Sequence, residues 1–402
     1  MIRGAIFLLL AFSSIVMVEP APYDVAAIGI ATLLFASGLK IPATAFVPIL
    51  LLLLFAATNM LSILFADPML VEYDLTGFTR YTGITLYLII TYLLFLGFVN
   101  RYGAAGMRTI WSGWTIAGIL AAIAGIYGYH DLGPGAEELV RNDRAKGLFK
   151  DPNVLGPFLV PLLLHHTAKV IDGERSLLGF RGVIIFLFMY SLLVTFSRGA
   201  WVNGLLAYLV FLPLLFASLR SARQRRRLVL LVSAGTLLAT MALTYLSTTA
   251  ALEEMIEKRA NLVNRYDVAE GGRFDTQRKL IPDILQAPAG YGPNQVTPNT
   301  GQAPHNVYLK TYSEYGWLGG GAWLAFSALT VIFGFIAAMK RSSVQRDTII
   351  VFSSTLAIAV QGLTIDTLHW RHFFLLLGML WALIHITRMT EPSHRSASAP
   401  SE

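Results

Sequence analysis

The sequence predicts an all-α integral membrane protein of about twelve transmembrane helices, with one large loop between the ninth and the tenth. Three observations predict it. Hydrophobic residues make up 55% of the 402 residues and charged residues only 14%, a balance that soluble domains do not carry. Leu, Ile, Val, Phe and Ala recur in blocks of roughly 16 to 25 residues, the length that crosses a ~30 Å hydrocarbon core at ~1.5 Å per residue. The blocks fill nearly the whole chain, and residues 247–315 alone form a connection too long and too polar for a hairpin.

In order, the spans fall near 4–18, 23–39, 44–66, 80–99, 107–128, 154–168, 177–196, 199–218, 227–246, 316–339, 347–365 and 371–388. The first reads as a helix rather than a cleaved leader, because Glu19-Pro20-Ala21-Pro22 has no small-x-small cleavage site. The chain divides into spans one to nine over 1–246, a loop domain with short helices over 247–315, spans ten to twelve over 316–390, and a disordered tail over 391–402. The loop begins with helical periodicity at Leu252, Met255, Ile256 and Leu262, and turns Gly-, Pro- and Asn-rich from Gly271.

Charge sorts the connections. Alternating sides puts Arg3, Lys40, Arg101, Arg108, Lys169, Arg175, Arg181, the Arg220–Arg227 cluster, Lys340, Arg341, Arg346, Arg388 and Arg395 together, and that side is the cytoplasm, with both termini on it. The net charge of +7 is therefore topological; no basic helix, zinc pattern or aromatic RNA-binding motif accompanies it, so nucleic acid is not an expected partner. The chain has no Cys, which excludes disulfides, thiolate metal sites and Cys nucleophiles.

Several cations break the sorting and lie on the outer side: Arg141, Arg144, Lys146, Lys150, Arg198, Arg265, Arg273, Arg278 and Lys279. Arg198 matters most, since the spans on either side of it are almost continuous and hold it at the membrane boundary. A deeply placed Arg costs up to ~3 kcal/mol, so it calls either for an anionic partner or for snorkelling to interfacial water. Gly199 and Ala200 let a helix start there, and a helix amino terminus favours phosphate. Arg273 follows Gly271-Gly272 on the same side, and two forked guanidiniums suit a diphosphate. Arg278 and Lys279 read as a solvated helix face, and Arg265 is intermediate.

Of the eight histidines, His305 stands where the outer loop returns to the membrane, in Pro304-His-Asn-Val-Tyr-Leu-Lys310. It reads either as a surface histidine or as a proton acceptor, with Asn306 or Tyr308 orienting it or a sugar hydroxyl. No metal is expected, because no HExxH motif or acidic cluster appears and the other outer-side histidines, His130 and His369, are remote in sequence. Asp366 stands in a polar outer turn, positioned to pair with Arg371 or with a site arginine. Lys310 and Gln361 find no role in this scheme.

Three stretches together resemble the bacterial O-antigen ligases and their relatives, the O-antigen polymerases and protein O-oligosaccharyltransferases. They are Thr195-Phe-Ser-Arg-Gly-Ala-Trp201; Gly272-Arg-Phe-Asp-Thr-Gln277 with Gly290-Tyr-Gly292; and Pro304-His-Asn-Val-Tyr-Leu309 with Glu314-Tyr-Gly-Trp-Leu-Gly319. Phe149-Lys-Asp-Pro-Asn-Val154 is similar as well. The resemblance implies a GT-C-like membrane glycosyltransferase in the bacterial inner membrane with a periplasmic site. It implies transfer of a glycan from undecaprenyl diphosphate to a sugar hydroxyl of the lipid A core oligosaccharide, with inversion and without metal, ATP or other cofactor. In that scheme Arg198 and Arg273 hold the diphosphate, His305 is the general base, and Arg265, Asn306, Tyr308 and Asp366 contact substrate. Membrane lipids are the remaining partners.

The rivals sharing this donor are a polymerase, whose acceptor is another lipid-linked repeat, and a protein O-glycosylating enzyme. Of another class are a lipid-linked glycan transporter or flippase, which would leave ionisable residues or broken helices near the midplane, and a scaffold, in which the outer arginines are dispensable.

Overall fold

The computed structural model describes residues 1–18, 20–65, 74–173, 179–247, 272–296 and 303–390. Among them the architecture is all-helical, without a strand, and comprises α1 (Ile2–Ala11), α2 (Pro22–Ala36), α3 (Phe46–Leu61), α4 (Leu75–Tyr129), α5 (Pro152–Asp172), α6 (Phe180–Val194), α7 (Arg198–Ser218), α8 (Ala222–Ser247), α9 (Arg273–Gln286), α10 (Val307–Met339), α11 (Gln345–Gln361) and α12 (Arg371–Met389).

Among the described residues six stretches are long and apolar enough to cross a membrane: Ala43–Phe65, Leu75–Tyr129, Pro152–Asp172, Arg198–Ser218, Val307–Met339 and Arg371–Met389. Ile2–Ala11, Pro22–Ala36 and Phe180–Val194 are apolar but shorter. The chain is a multi-pass membrane protein. The 55 residues of α4 would run about 80 Å if straight, well beyond one bilayer core. They are broken at Gly103 (φ 51°, ψ −131°), so the expected fourth and fifth spans share this element. The first helix is shorter than expected. It stops at Ala11, where Ser13 Oγ donates back to the Leu10 carbonyl, and Val16 N–H then bonds to the Leu148 carbonyl ahead of α5.

Packing places α12 and α1 against α4, α10 against α3, and α11 and α5 against α7. Trp114, Trp323 and Trp381 fill the interior of these contacts. Outward-facing Phe186, Leu205 and Leu209 are each more than 60% exposed, an arrangement that lipid satisfies and water does not.

Helix ends sort into two groups that touch within themselves. At one end Arg3 donates to Thr109, Arg101 to Ser37, Asn100 to the Lys40 carbonyl, and Asp172 accepts from Gln224 and Arg346. These are the connections that charge assigned to a single side. At the other end Asp74 bonds to Asn294 and Gln295, Arg144 to the Thr195 carbonyl, Arg371 forks onto Asp24, and Val307 N–H bonds to the Gly362 carbonyl.

Candidate active site

The site is built where α6 turns into α7. Phe196 takes a left-handed backbone (φ 43°), and Ser197 then caps α7 by accepting from Ala200 N–H at 3.1 Å. Asn153 Oδ1 braces this cap. It accepts from Ser197 Oγ at 2.6 Å and from Arg144 Nη2 at 3.0 Å, while Arg144 Nε donates to the Thr195 carbonyl at 3.0 Å. Asn153 is itself fixed in the first turn of α5, where Asp151 accepts its N–H at 2.7 Å and Pro152 starts the helix. Two stretches 44 residues apart in sequence thus hold one turn.

Arg198 is the first residue of α7, a position where the helix macrodipole disfavours a cation by ~0.3–1 kcal/mol. It lines a cavity of about 400 Å³ together with Arg144, Asn153, Asn203, Gln361 and Phe274. Asn203 and Gln361 are 1% and 6% exposed, and none of their four amide N and O atoms has a hydrogen-bond partner. Leaving such groups buried costs ~1–3 kcal/mol each, so a polar ligand is the natural complement. The rim of the cavity is apolar and open: Val202, Val360 and Leu363 line it and are 53%, 40% and 49% exposed. A molecule with a polar head and a hydrocarbon chain fits both parts.

Arg273 opens α9, and its neighbour Phe274 reaches the cavity. Gln277 on the same helix donates to the Pro304 carbonyl at 3.1 Å, which ties α9 to the His305 turn. His305 is half-buried with φ 49°. Among the described non-glycine residues with positive φ are Phe196 and His305; the others are Asn and Asp, which with His are the types enriched there, so Phe196 is the exceptional one. Strain of this kind costs ~1–3 kcal/mol and concentrates at functional sites. Asn306 Oδ1 caps α10 by accepting from Tyr308 and Leu309 N–H, and Tyr308 Oη donates to the Ala359 carbonyl at 2.9 Å. With the Val307 to Gly362 bond, these contacts dock the turn beside Gln361, on the wall of the Arg198 cavity.

Asp366 pairs neither with Arg371 nor with Arg198. Its carboxylate meets Lys310 Nζ at 2.6 Å and His369 Nδ1 at 3.6 Å, while Arg371 forks onto Asp24 at 2.6 and 2.7 Å. Burial by itself would raise the Asp366 carboxyl, but Lys310 and the His369 hydrogen bond outweigh it and hold the group well below the usual carboxylate range. Arg265 lies outside the described residues. Lys279 pairs with Asp275 at 2.6 Å across one helical turn, consistent with a solvated face, and Arg278 beside it is exposed.

The remaining motif residues are structural. Tyr291 and Gly292 N–H bond to the Ser313 and Glu314 carbonyls, and Trp317 N–H to that of Pro288. Gly290 (φ 79°) and Gly316 (φ 72°) lie back to back, and a Cβ on Gly290 would meet the Glu314 carbonyl oxygen at 2.6 Å. Only glycine permits that approach, which also breaks α10 at Gly316. Sequence reasoning passed over Asn203, left Gln361 without a role, and gave Arg144 and Asn153 only as an outer cation and as part of the Phe149–Val154 stretch. A single amide in the apolar run of α7 was the available signal for Asn203.

No curated protein matches the chain. Residues 183–324, from α6 to beyond the break in α10, match the family model described as O-antigen ligase. That match makes the segment carrying Arg198, Arg273 and His305 similar to the O-antigen ligase family.

Proposed function

We propose that the protein transfers a glycan from a polyprenyl diphosphate, undecaprenyl diphosphate in bacteria, to a sugar hydroxyl of the lipid A core, on the periplasmic side of the inner membrane. The observation that carries this reading is the Arg198 cavity, where a cation at a helix amino terminus and two unpartnered buried amides stand behind a lipid-exposed apolar rim. The rim takes the polyprenyl chain and the cation takes the diphosphate. A diphosphate also resolves the mismatch of Arg198 with the α7 dipole, since the anion meets the positive end of that dipole as well as the guanidinium.

In the reaction, the acceptor oxygen forms a bond to sugar C1 as the bond from C1 to the phosphate oxygen breaks. His305 takes the acceptor proton and the leaving diphosphate keeps the electron pair. Arg198 and Arg273 stabilise the charge that develops on it, the task that a divalent ion performs elsewhere. Direct displacement inverts C1. Asn203 and Gln361 bind polar groups of the donor head, while Asn306 and Tyr308 position the His305 turn and Asp366 neutralises Lys310 beneath it.

Ligation by purified protein with lipid-linked glycan and acceptor tests this. His305→Ala is expected to lose ~10²–10⁴-fold in rate; ordinary turnover would remove His305 from the chemistry. Arg198→Lys keeps the charge and loses the fork, so full activity there would argue against bidentate recognition. For the acceptor, loss of the gene should leave bare core beside free lipid-linked glycan. Core carrying a single repeat would point instead to a polymerase.

A further inference from the structure

A second cavity, of about 540 Å³, lies at the other end of the helices that build the first. It is lined by Arg108, Lys169, Arg181, His165, His166 and Asp347. On α5, Asn153 faces the first cavity and His166 the second; on α11, Gln361 faces the first and Asp347 the second. Either interval is about 20 Å along a helix axis, so the cavities stand at opposite membrane boundaries. This one is at the Arg-rich end.

Arg108, Lys169 and Arg181 line it beside one described carboxylate, Asp347, which accepts from Trp111 Nε1 at 2.8 Å. His166 fixes Arg181: a guanidinium only donates, so the 3.1 Å contact from Arg181 Nη1 makes His166 Nδ1 an acceptor, and Nε2–H then donates to Thr115 Oγ1 at 3.2 Å. His165 stacks on Trp111 with ring centroids 4.6 Å apart and forms a rigid wall. The lip is again apolar, with Ile116 and Phe180 lining the cavity and 39% and 70% exposed. A fixed cluster of cations behind a lipid-facing lip is suited to a phosphate carried on a hydrocarbon chain rather than to one free in water.

We propose that this cavity binds the phosphate headgroup of an anionic phospholipid from the leaflet at the Arg-rich end, with Arg108, Lys169 and Arg181 on the phosphate and the acyl chains leaving between Ile116 and Phe180. The site is independent of the transferase reading and rests only on the chain lying in a membrane.

Native mass spectrometry of the full chain in detergent, titrated with phosphatidylglycerol, phosphatidylcholine or glycerol 3-phosphate, tests it. One phosphatidylglycerol is expected to be retained in preference to phosphatidylcholine, with glycerol 3-phosphate neither retained nor able to displace it. Each cation removed should weaken retention about fivefold. Arg108→Gln changes an exposed position and keeps the fold, and the Lys169→Gln/Arg181→Gln pair tests the deeper groups against unchanged thermal unfolding. Arg198→Gln, at the opposite boundary, should leave retention intact. Equal retention of both phospholipids would overturn the proposal, as would unchanged retention in Arg108→Gln. Tight binding of glycerol 3-phosphate would replace it with a site for a soluble phosphate, and loss of retention in Arg198→Gln would move the lipid to the other cavity.

Discussion

The cavities at the two ends of α5 and α11 share a plan and differ in how they are finished. Both set arginines behind an exposed apolar lip. At the Arg181 end the polar groups are spent on one another: His166 uses both ring nitrogens, and Asp347 accepts from Trp111. Lys169 there sits in the last turn of α5, where a helix dipole favours a cation. At the Arg198 end the cation stands against the dipole, two amides are buried without partners, and Phe196 and His305 are held in left-handed backbone. One end is satisfied and suited to holding a lipid. The other carries unspent hydrogen-bonding capacity and strain, which is what a site that must recognise a changing charge distribution retains.

The comparison can be broken by opposite signs of stability change at the two ends. The largest expected effect lies beside the strained turn. Lys310→Met leaves Asp366 without its main partner and should cost about 3 kcal/mol in thermal unfolding in micelles, with much of that recovered in the Lys310→Met/Asp366→Leu pair. The pH dependence follows in sign. Because the folded carboxyl is depressed, its contribution is complete above the unfolded value of about 3.9 and disappears only as pH falls through the folded one. The difference between wild type and Asp366→Asn should therefore stay constant from about pH 8 to pH 5.

Next is Arg198→Gln, expected to lower transfer by ~10²-fold or more with no loss of stability, against no change for the exposed Arg278→Gln. Equal effects would mean that outer charge in general matters, and not the cavity. Asn203→Leu should raise stability by about 1–2 kcal/mol by removing two unpaired buried groups, while transfer falls. His166→Leu, at the satisfied end, should lower stability by a similar amount, because Arg181 and Thr115 each lose a partner. Stabilisation in both, or in neither, would erase the distinction. The smallest effect is that of His305→Gly, which relieves left-handed strain and should be neutral or gain up to about 1 kcal/mol while transfer is lost.

Much of the architecture was legible in the sequence because lipid imposes simple rules. Apolar runs must be helical to satisfy their backbone, so the expected spans fall on helices, and cations gather at one set of ends where Arg3, Arg101 and Arg346 meet their neighbours. Arg198 stood out for the same reason: it broke the charge rule between two almost continuous spans, where it called either for an anionic partner or for snorkelling. The early end of α1 was not, since an apolar run to Val18 gives no hint that Val16 would dock on Leu148. In sequence Asp366 had Arg371 or a site arginine as candidate partners and Lys310 had no role, and 56 residues separate the pair that formed.

By itself, then, the sequence determined the helices and the gathering of cations at one set of their ends, and it singled out Arg198, Arg273 and His305, the residues proposed to carry the chemistry. Hydropathy and charge act residue by residue, and a linear reading captures them. Only the tertiary structure decided that Asn203 and Gln361 face Arg198, that Asn153 and Arg144 brace its cap, that Asp366 serves Lys310, and that the same helices form a second basic cavity at their far ends. Those facts depend on which faces of α5, α7 and α11 meet. Helix packing chooses such faces by shape, and no local rule of composition encodes them.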